Sequence, residues 1–250
     1  MENAFPIPRA TGGNEHTALI KLLAILFMIV DHVGVVFFPS LRILRYIGRL
    51  AFPLFAWGMV VGICKSRNLY RYALRLLLMG ILSQPLYMLA LDHRITQINI
   101  FGTLLLGLCA IICIRERFYY SHLWGPAAVL LFSYVLSHFF HITTDYGFQG
   151  ILLILLLYLG RKRPWTIAAA LGCMCLIWWQ GQAFYMWLRM QLTDFSTLPK
   201  VYVGRIQPYA IFALPLMICP LPSSFRLPKL LGYAAYPLHL LVIYLVDRLV

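Results

Sequence analysis

Residues 19–39 read LIKLLAILFMIVDHVGVVFFP, and this run decides the class of the fold. It is apolar for about 20 residues, the length a helix needs to cross roughly 30 Å of hydrocarbon. Yet Asp31 and His32 stand side by side inside it. An aspartate near a membrane helix centre costs roughly 2.5–3.5 kcal/mol, so it must face protein or a water-filled cavity. Counted from Thr17 at the inner surface, Asp31 lies about 21 Å along the helix, in its outer half. Neighbouring helix positions do not face each other. Asp31 is therefore badly placed to orient His32, and the two residues are expected to have different jobs.

The whole chain repeats the character of this run. Of 250 residues, 62% are hydrophobic and 12% charged, with mean hydropathy +0.80. A soluble domain is about 45–50% apolar and about 25% charged. Too little polar surface remains for a water-soluble fold, so the sequence predicts an all-α, polytopic membrane helix bundle. The formal charge of +13 does not point to nucleic acid. Its Lys and Arg residues cluster in short connections between apolar runs, as the positive-inside bias requires. Phosphate-rich cofactor binding at the inner helix ends is the other reading of the same cations. The six cysteines lack metal-ligand spacing and read as small packing residues, so no metal is expected.

Apolar runs recur at about 17–38, 46–64, 72–91, 98–114, 123–140, 147–160, 164–187, 206–221 and 230–247. They predict about nine spans, with eight to ten allowed by their soft edges. Residues 1–16 read as a short cytoplasmic tail and 17–250 as a single transmembrane domain. Lys65, Arg67, Arg71 and Arg75 flank one connection, and Arg115, Arg117, Arg161, Lys162, Arg163, Arg226 and Lys229 flank later ones on the same side. Asp92, Asp145 and Asp194 mark the alternate connections, so the N-terminus is expected in the cytoplasm and the C-terminus outside. The connection between the first two runs breaks this bias with Arg42, Arg45 and Arg49. Cations on the wrong side are often there for another reason.

A short hairpin can bring Arg49, in YIGRLAFPLF (46–55), beside Asp31. Such a pair either joins two helices and no more, or frames a cavity in which His32 exchanges protons, as imidazole does near neutral pH. His239, in AYPLHLL (235–241), is either a hydrogen-bonded packing residue or a second base. Asn99 and Thr103 share a face at the start of the fourth run. Gln84–Pro85 and Gln207–Pro208 mark helix breaks that can face a cavity, and Asp145, Tyr146 and Gly147 read as a helix cap.

Taken together, LIKLLAILFMIVDHVGVVFFP (19–39), YIGRLAFPLFAWGMVVG (46–62), RYALRLLLMGILSQPLY (71–87), NIFGTLLLGL (99–108), DYGFQGILLILLLY (145–158), YAIFALPLMI (209–218) and YAAYPLHLLVIYLV (233–246) resemble the TraX family, named for the F-pilin acetylation protein of conjugative plasmids. The resemblance leaves out the tail and residues 161–205. It implies a multi-span acyltransferase of the bacterial inner membrane, using cytosolic acetyl-CoA to modify a peptide, sugar or lipid acceptor. By the same resemblance Asp31, His32, Arg49 and His239 are the site residues. The expected roles are His32 as general base, Asp31 and Arg49 as charge balance, and His239 as reserve base. Lys65, Arg67, Arg71 and Arg75 are candidates to hold CoA phosphates, and Asn99 or Arg49 to supply an oxyanion donor. Two other classes stay open: a proton-coupled transporter, which also uses intramembrane Asp, His and Arg, and a non-catalytic assembly factor. A transporter often shows two related halves, and DHVGVV has no echo near 150–180.

Overall fold

The structure is a computed structural model and describes residues 11–191, 203–219 and 227–249. The acid and cation expected at Asp194 and Arg226, and the first ten residues of the tail, lie outside the described residues. Among the described residues the fold is all-α apart from one pair of two-residue strands. Its helices are α1 (Thr17–Val36), α2 (Arg42–Gly48), α3 (Ala51–Lys65), α4 (Leu69–Leu91), α5 (Ile100–Glu116), α6 (Ser121–Phe139), α7 (Gly147–Gly160), α8 (Pro164–Gln191), α9 (Leu214–Ile218) and α10 (Lys229–Leu249). A 3-10 stretch, Val203–Ala213, leads into α9. Strands β1 (Gln97–Ile98) and β2 (Thr143–Thr144) pair in parallel, with Gln97 opposite Thr143.

Helix α3 is the axis of the bundle. Phe52, Leu54, Trp57, Val60 and Ile63 are all essentially inaccessible, and a helix apolar all round belongs in a core. Helices α1 and α7 pack on it, α5 and α8 pack on α7, and α10 closes against α1 and α4. Helix α4 is the opposite case. Leu74, Leu77, Leu78, Ile81, Leu82 and Leu89 stand exposed along it, the surface a lipid-facing helix presents. Asn68 caps its start by accepting the Arg71 N–H at 2.9 Å. Pro85 does not break it, contrary to the expected interruption, and α4 runs on to Leu91. The neighbouring Gln84 instead ties the far loop down, donating to the Gln97 carbonyl at 2.7 Å and accepting from the Asn99 N–H at 3.0 Å.

The expected count of about nine spans is not reached. Among the described residues three helical segments are long and apolar enough to cross a membrane: Ala18–Val36, Arg42–Lys65 and Leu69–Leu91. The reason is length as much as composition. Helix α7 has 14 residues, about 21 Å at 1.5 Å each, and α5 has 17. The run at 206–221 divides between the 3-10 stretch and the five residues of α9. Shorter apolar helices occupy Gly147–Gly160, Pro164–Trp179 and Ile206–Ile218. A hydropathy window counts such runs as crossings although their helices are short.

The described part of the tail is docked. Gly12 N–H donates to the Arg161 carbonyl and Asn14 N–H to the Met217 carbonyl, each at 2.7 Å. Trp57 Nε1 donates to the Asn14 carbonyl at 2.8 Å. A Cβ on Gly13 would meet the Met217 carbonyl and the Trp57 ring at 2.6 Å, so only glycine fits this strap across the bundle end.

Candidate active site

Helices α1 and α2 form a tight hairpin, and two glycines set its closeness. A Cβ on Gly34 would meet Leu44 at 2.7 Å, and one on Gly48 would fall on the Asp31 carboxylate itself. That approach lets two arginines of one helical turn converge on one acid. Arg49 Nη2 reaches both Asp31 oxygens at 2.7 Å, and Arg45 Nη1 reaches Asp31 Oδ2 at 2.7 Å. Arg49 is 4% exposed, and such a charge is retained only when paired. Its remaining nitrogens are also committed: Nη1 to Gln207 Oε1 at 3.1 Å and Nε to the Arg45 carbonyl at 3.3 Å. Arg45 is the second partner that explains a cation on the unexpected side of the sequence.

His32 turns away from this cluster, as the helical offset from Asp31 requires. Its Nδ1 lies 2.8 Å from His239 Nε2. The ring centroids are 5.0 Å apart and the planes 18° from parallel. With the nitrogens that close, the rings meet edge to edge rather than face to face. His239 Nδ1 lies 3.0 Å from the Ala235 carbonyl, which accepts only. In the neutral pair the protons are therefore assigned by this network. His239 donates from Nδ1 to Ala235, accepts at Nε2 from His32 Nδ1–H, and leaves His32 Nε2 as the free lone pair. The orienter that Asp31 could not be is His239.

Asp31, His32, Arg45 and Arg49 line a chamber of about 190 Å³ with Phe52, Tyr87, His93, Asp145, Tyr146 and Tyr236. Asp145 reaches it because β2 pairs with β1 and Tyr146 stacks on Phe52, centroids 3.7 Å apart and planes 9° from parallel. Gly150 leaves room for that stack, since its Cβ would meet Tyr146 at 2.5 Å. The expected cap is not formed, because no side chain caps α7. Asp145 lines the chamber with part of its surface exposed. Desolvation raises its carboxyl to about 6, Arg49 and Arg45 pulling down and Asp31 pushing up. At the rim His93 Nδ1 donates to Gln97 Oε1 at 3.1 Å, and the ring stacks on Tyr87 at 4.5 Å. Burial lowers its pKa, partly offset by that hydrogen bond and by Asp92.

A second cavity of about 430 Å³ adjoins the first. Lys21, Ser66, Tyr72 and Arg75 line it at the end of the bundle where α1 and α4 begin, and Met28, Phe55, Ile100 and Tyr236 are common to both cavities. Of the residues expected to hold phosphates, Arg75 lines this vestibule. Lys65 is drawn to the strap, donating to the Glu15 carbonyl at 3.0 Å and lying 3.5 Å from its carboxylate. Arg67 and Arg71 are exposed away from the cavity lining. Asn99 is fully buried and structural: Oδ1 accepts from Phe101 N–H at 3.0 Å and Nδ2 donates to the Gly80 carbonyl at 2.8 Å. Lys21 was available to sequence reading as the cation inside the first apolar run. Arg45 was available as the partner one turn before Arg49. Gln207 was marked by the break at Pro208 and Asp145 as a cap, but nothing in the sequence paired either with the Asp31 cluster. Among the described residues no cluster of metal-ligating side chains occurs.

This arrangement sits in a chain with recognisable kin. A probable fimbrial assembly protein, FimC of serogroup H1, from Dichelobacter nodosus is 32% identical over 174 residues, 63% of this chain and 68% of the relative. An uncharacterized protein, RP591, of Rickettsia prowazekii (strain Madrid E) is 28% identical over 130 residues, half of each chain. No solved structure matches. The family described as TraX protein matches residues 16–247. Its span takes in the hairpin, the histidine pair and both cavities, and the chain belongs to the TraX family.

Proposed function

We propose that the protein is a multi-pass acyltransferase of the bacterial inner membrane. In this reading it moves an acetyl group from cytosolic acetyl-CoA to an amine or hydroxyl acceptor. The observation that carries the reading is the free Nε2 of His32, fixed in tautomer by His239 and Ala235 and set in a chamber that adjoins a cation-lined vestibule.

The chemistry follows from those positions. The N-terminus is cytoplasmic, so Lys21 and Arg75 face the cytosol and attract the phosphates of CoA by charge-assisted hydrogen bonds. The thioester arm enters past Met28 and Phe55. Lys21 and His32 are eleven residues apart on α1, about 16 Å, a span suited to an extended arm. His32 Nε2 takes the proton of the acceptor as it attacks the acyl carbonyl. The resulting imidazolium keeps its Nδ1–H on His239 Nε2, so the hydrogen bond that set the base also holds its acid form. Asp31 with Arg45 and Arg49 forms a fixed charge cluster beside this pair. His239 is a positioning residue rather than a second base.

The kinship with a probable fimbrial assembly protein makes a filament-subunit peptide the first acceptor to try, ahead of sugars and lipids. The test is to reconstitute the protein in vesicles with [acetyl-14C]acetyl-CoA on the Lys21 side and to identify the labelled product after supplying candidate acceptors. Label in a peptide, sugar or lipid names the acceptor. Thioester that stays intact with every acceptor, alongside proton flux across the vesicle, would replace this reading by transport.

A further inference from the structure

We propose that the Tyr236 hydroxyl, together with the Ile100 N–H at the start of α5, forms the oxyanion site for the acyl carbonyl. The inference rests on the acyl-transfer reading above and assigns a group that reading leaves open.

Elimination comes first. Attack on a thioester places negative charge on the carbonyl oxygen, and donors must already face that oxygen. The two donors suggested by sequence are spent. Arg49 is bonded to Asp31, Gln207 and the Arg45 carbonyl, and Asn99 to Gly80 and Phe101. Arg45 is held by Asp31.

Tyr236 is different. It is 6% exposed, and its hydroxyl has no hydrogen-bond partner among the described residues. The backbone of Ile100 lies near it, outside hydrogen-bonding geometry. A buried hydroxyl left unpaired is costly, so its retention calls for a ligand. Tyr236 and Ile100 both line the chamber and the vestibule. Any thioester passing from Lys21 to His32 presents its carbonyl at this junction. The other two junction residues, Met28 and Phe55, carry no side-chain donor.

The donors are also rigid. The Tyr236 ring stands edge-on to Phe101, centroids 5.0 Å apart, and to His239, 5.2 Å apart. Tyr236 and His239 are three residues apart and share one face of α10. One helix thus carries both the orienter of the base and the donor to the oxygen. Helix α5 has 17 residues, and its first N–H groups have no intrahelical acceptor. Asn99 takes two of them, Phe101 through its side chain and Gly102 through its carbonyl. Ile100, the first residue of α5, lies beside the Tyr236 hydroxyl and lines both cavities, with the positive end of the helix dipole behind it.

The step balances without a further reagent. The acceptor nitrogen or oxygen bonds to the acyl carbon, and its proton goes to His32 Nε2. The carbonyl electron pair moves to oxygen, where Tyr236 O–H and Ile100 N–H hold it. Collapse restores the carbonyl, the carbon–sulfur bond breaks, and the thiolate leaves with the proton returned by His32.

The experiment compares wild type and Tyr236→Phe, full-length in vesicles, following thiol release from acetyl-CoA with a filament-subunit N-terminal peptide as acceptor. Phenylalanine keeps both ring contacts. The expected result is a kcat lowered roughly 100-fold with donor KM and melting temperature unchanged. A kcat within threefold of wild type would overturn the inference. Should Tyr236→Phe fail to fold, 3-fluorotyrosine at 236 keeps the packing and changes the acidity of the hydroxyl; an unaltered kcat would again overturn it. Wild-type protein that releases no thiol with any acceptor would instead overturn the acyl-transfer reading itself.

Discussion

The chamber and the vestibule share four residues and differ in almost everything else. The chamber of about 190 Å³ gathers two acids, two arginines, three tyrosines and two histidines. The vestibule of about 430 Å³ is mostly apolar and carries Lys21 and Arg75 at its outer end. One is small, charged and internally bonded. The other is larger, and its cations stand at the bundle end. The two cavities fit a division of labour within one bundle. Chemistry needs groups fixed by their neighbours, whereas a substrate that comes and goes needs room and a charge to find it. Substitutions in the two cavities should therefore fail in different ways.

The largest expected effect is in the chamber. His32→Ala should lower kcat by about 10²- to 10⁴-fold, the usual worth of a general base, with donor KM nearly unchanged. His239→Ala should cost less, roughly 10- to 100-fold, and should also shift the pH at which activity rises, because the tautomer of His32 is no longer fixed. If His239→Ala shifted neither rate nor pH profile, the pair would be packing only. Gly48→Ala strikes the same chamber through its frame, since the new Cβ falls on the Asp31 carboxylate. Overpacking of this kind costs about 1–3 kcal/mol, to be read as a lower melting temperature in detergent. A Gly48→Ala protein as stable as wild type would mean that the hairpin is looser than its geometry.

The vestibule should respond in KM. Lys21→Gln with Arg75→Gln removes the two cations of the vestibule and, on the acyl-transfer proposal, should raise donor KM roughly tenfold while kcat holds. A fall in kcat at constant KM would erase the contrast between the two cavities. The smallest effect concerns Asp145. Its carboxyl is raised from 3.8 to about 6, so the folded chain holds a proton that the unfolded chain releases. Stability from this group is complete below about pH 4 and is lost as pH rises through about 6. Melting temperatures measured from pH 4 to pH 7 should fall less for Asp145→Asn than for wild type.

Much of this was legible in the sequence because a bilayer makes polar residues conspicuous. Asp31, His32, Arg49 and His239 stand out against apolar runs, and the hairpin distance suggested that Arg49 meets Asp31. Residues in polar turns had no such background. Asp145 read as a cap because its neighbours are turn residues, and only the pairing of β1 with β2 carries it to the chamber. Gln207 is far from Arg49 in sequence and comes to it through the 3-10 stretch. The cation cluster at 65–75 is ambiguous for the opposite reason. Charge at a helix end records topology as well as binding, and Lys65 is occupied by the strap. Span number was overcounted because hydropathy registers composition, whereas crossing requires helix length as well.

The most direct test of the central claim is single-turnover acetyl transfer by wild type and His32→Ala in vesicles, with donor supplied from the Lys21 side. The account predicts transfer by wild type and a rate at least about 100-fold lower for His32→Ala, with acetyl-CoA bound equally well by both. Equal transfer rates in the two proteins would contradict it.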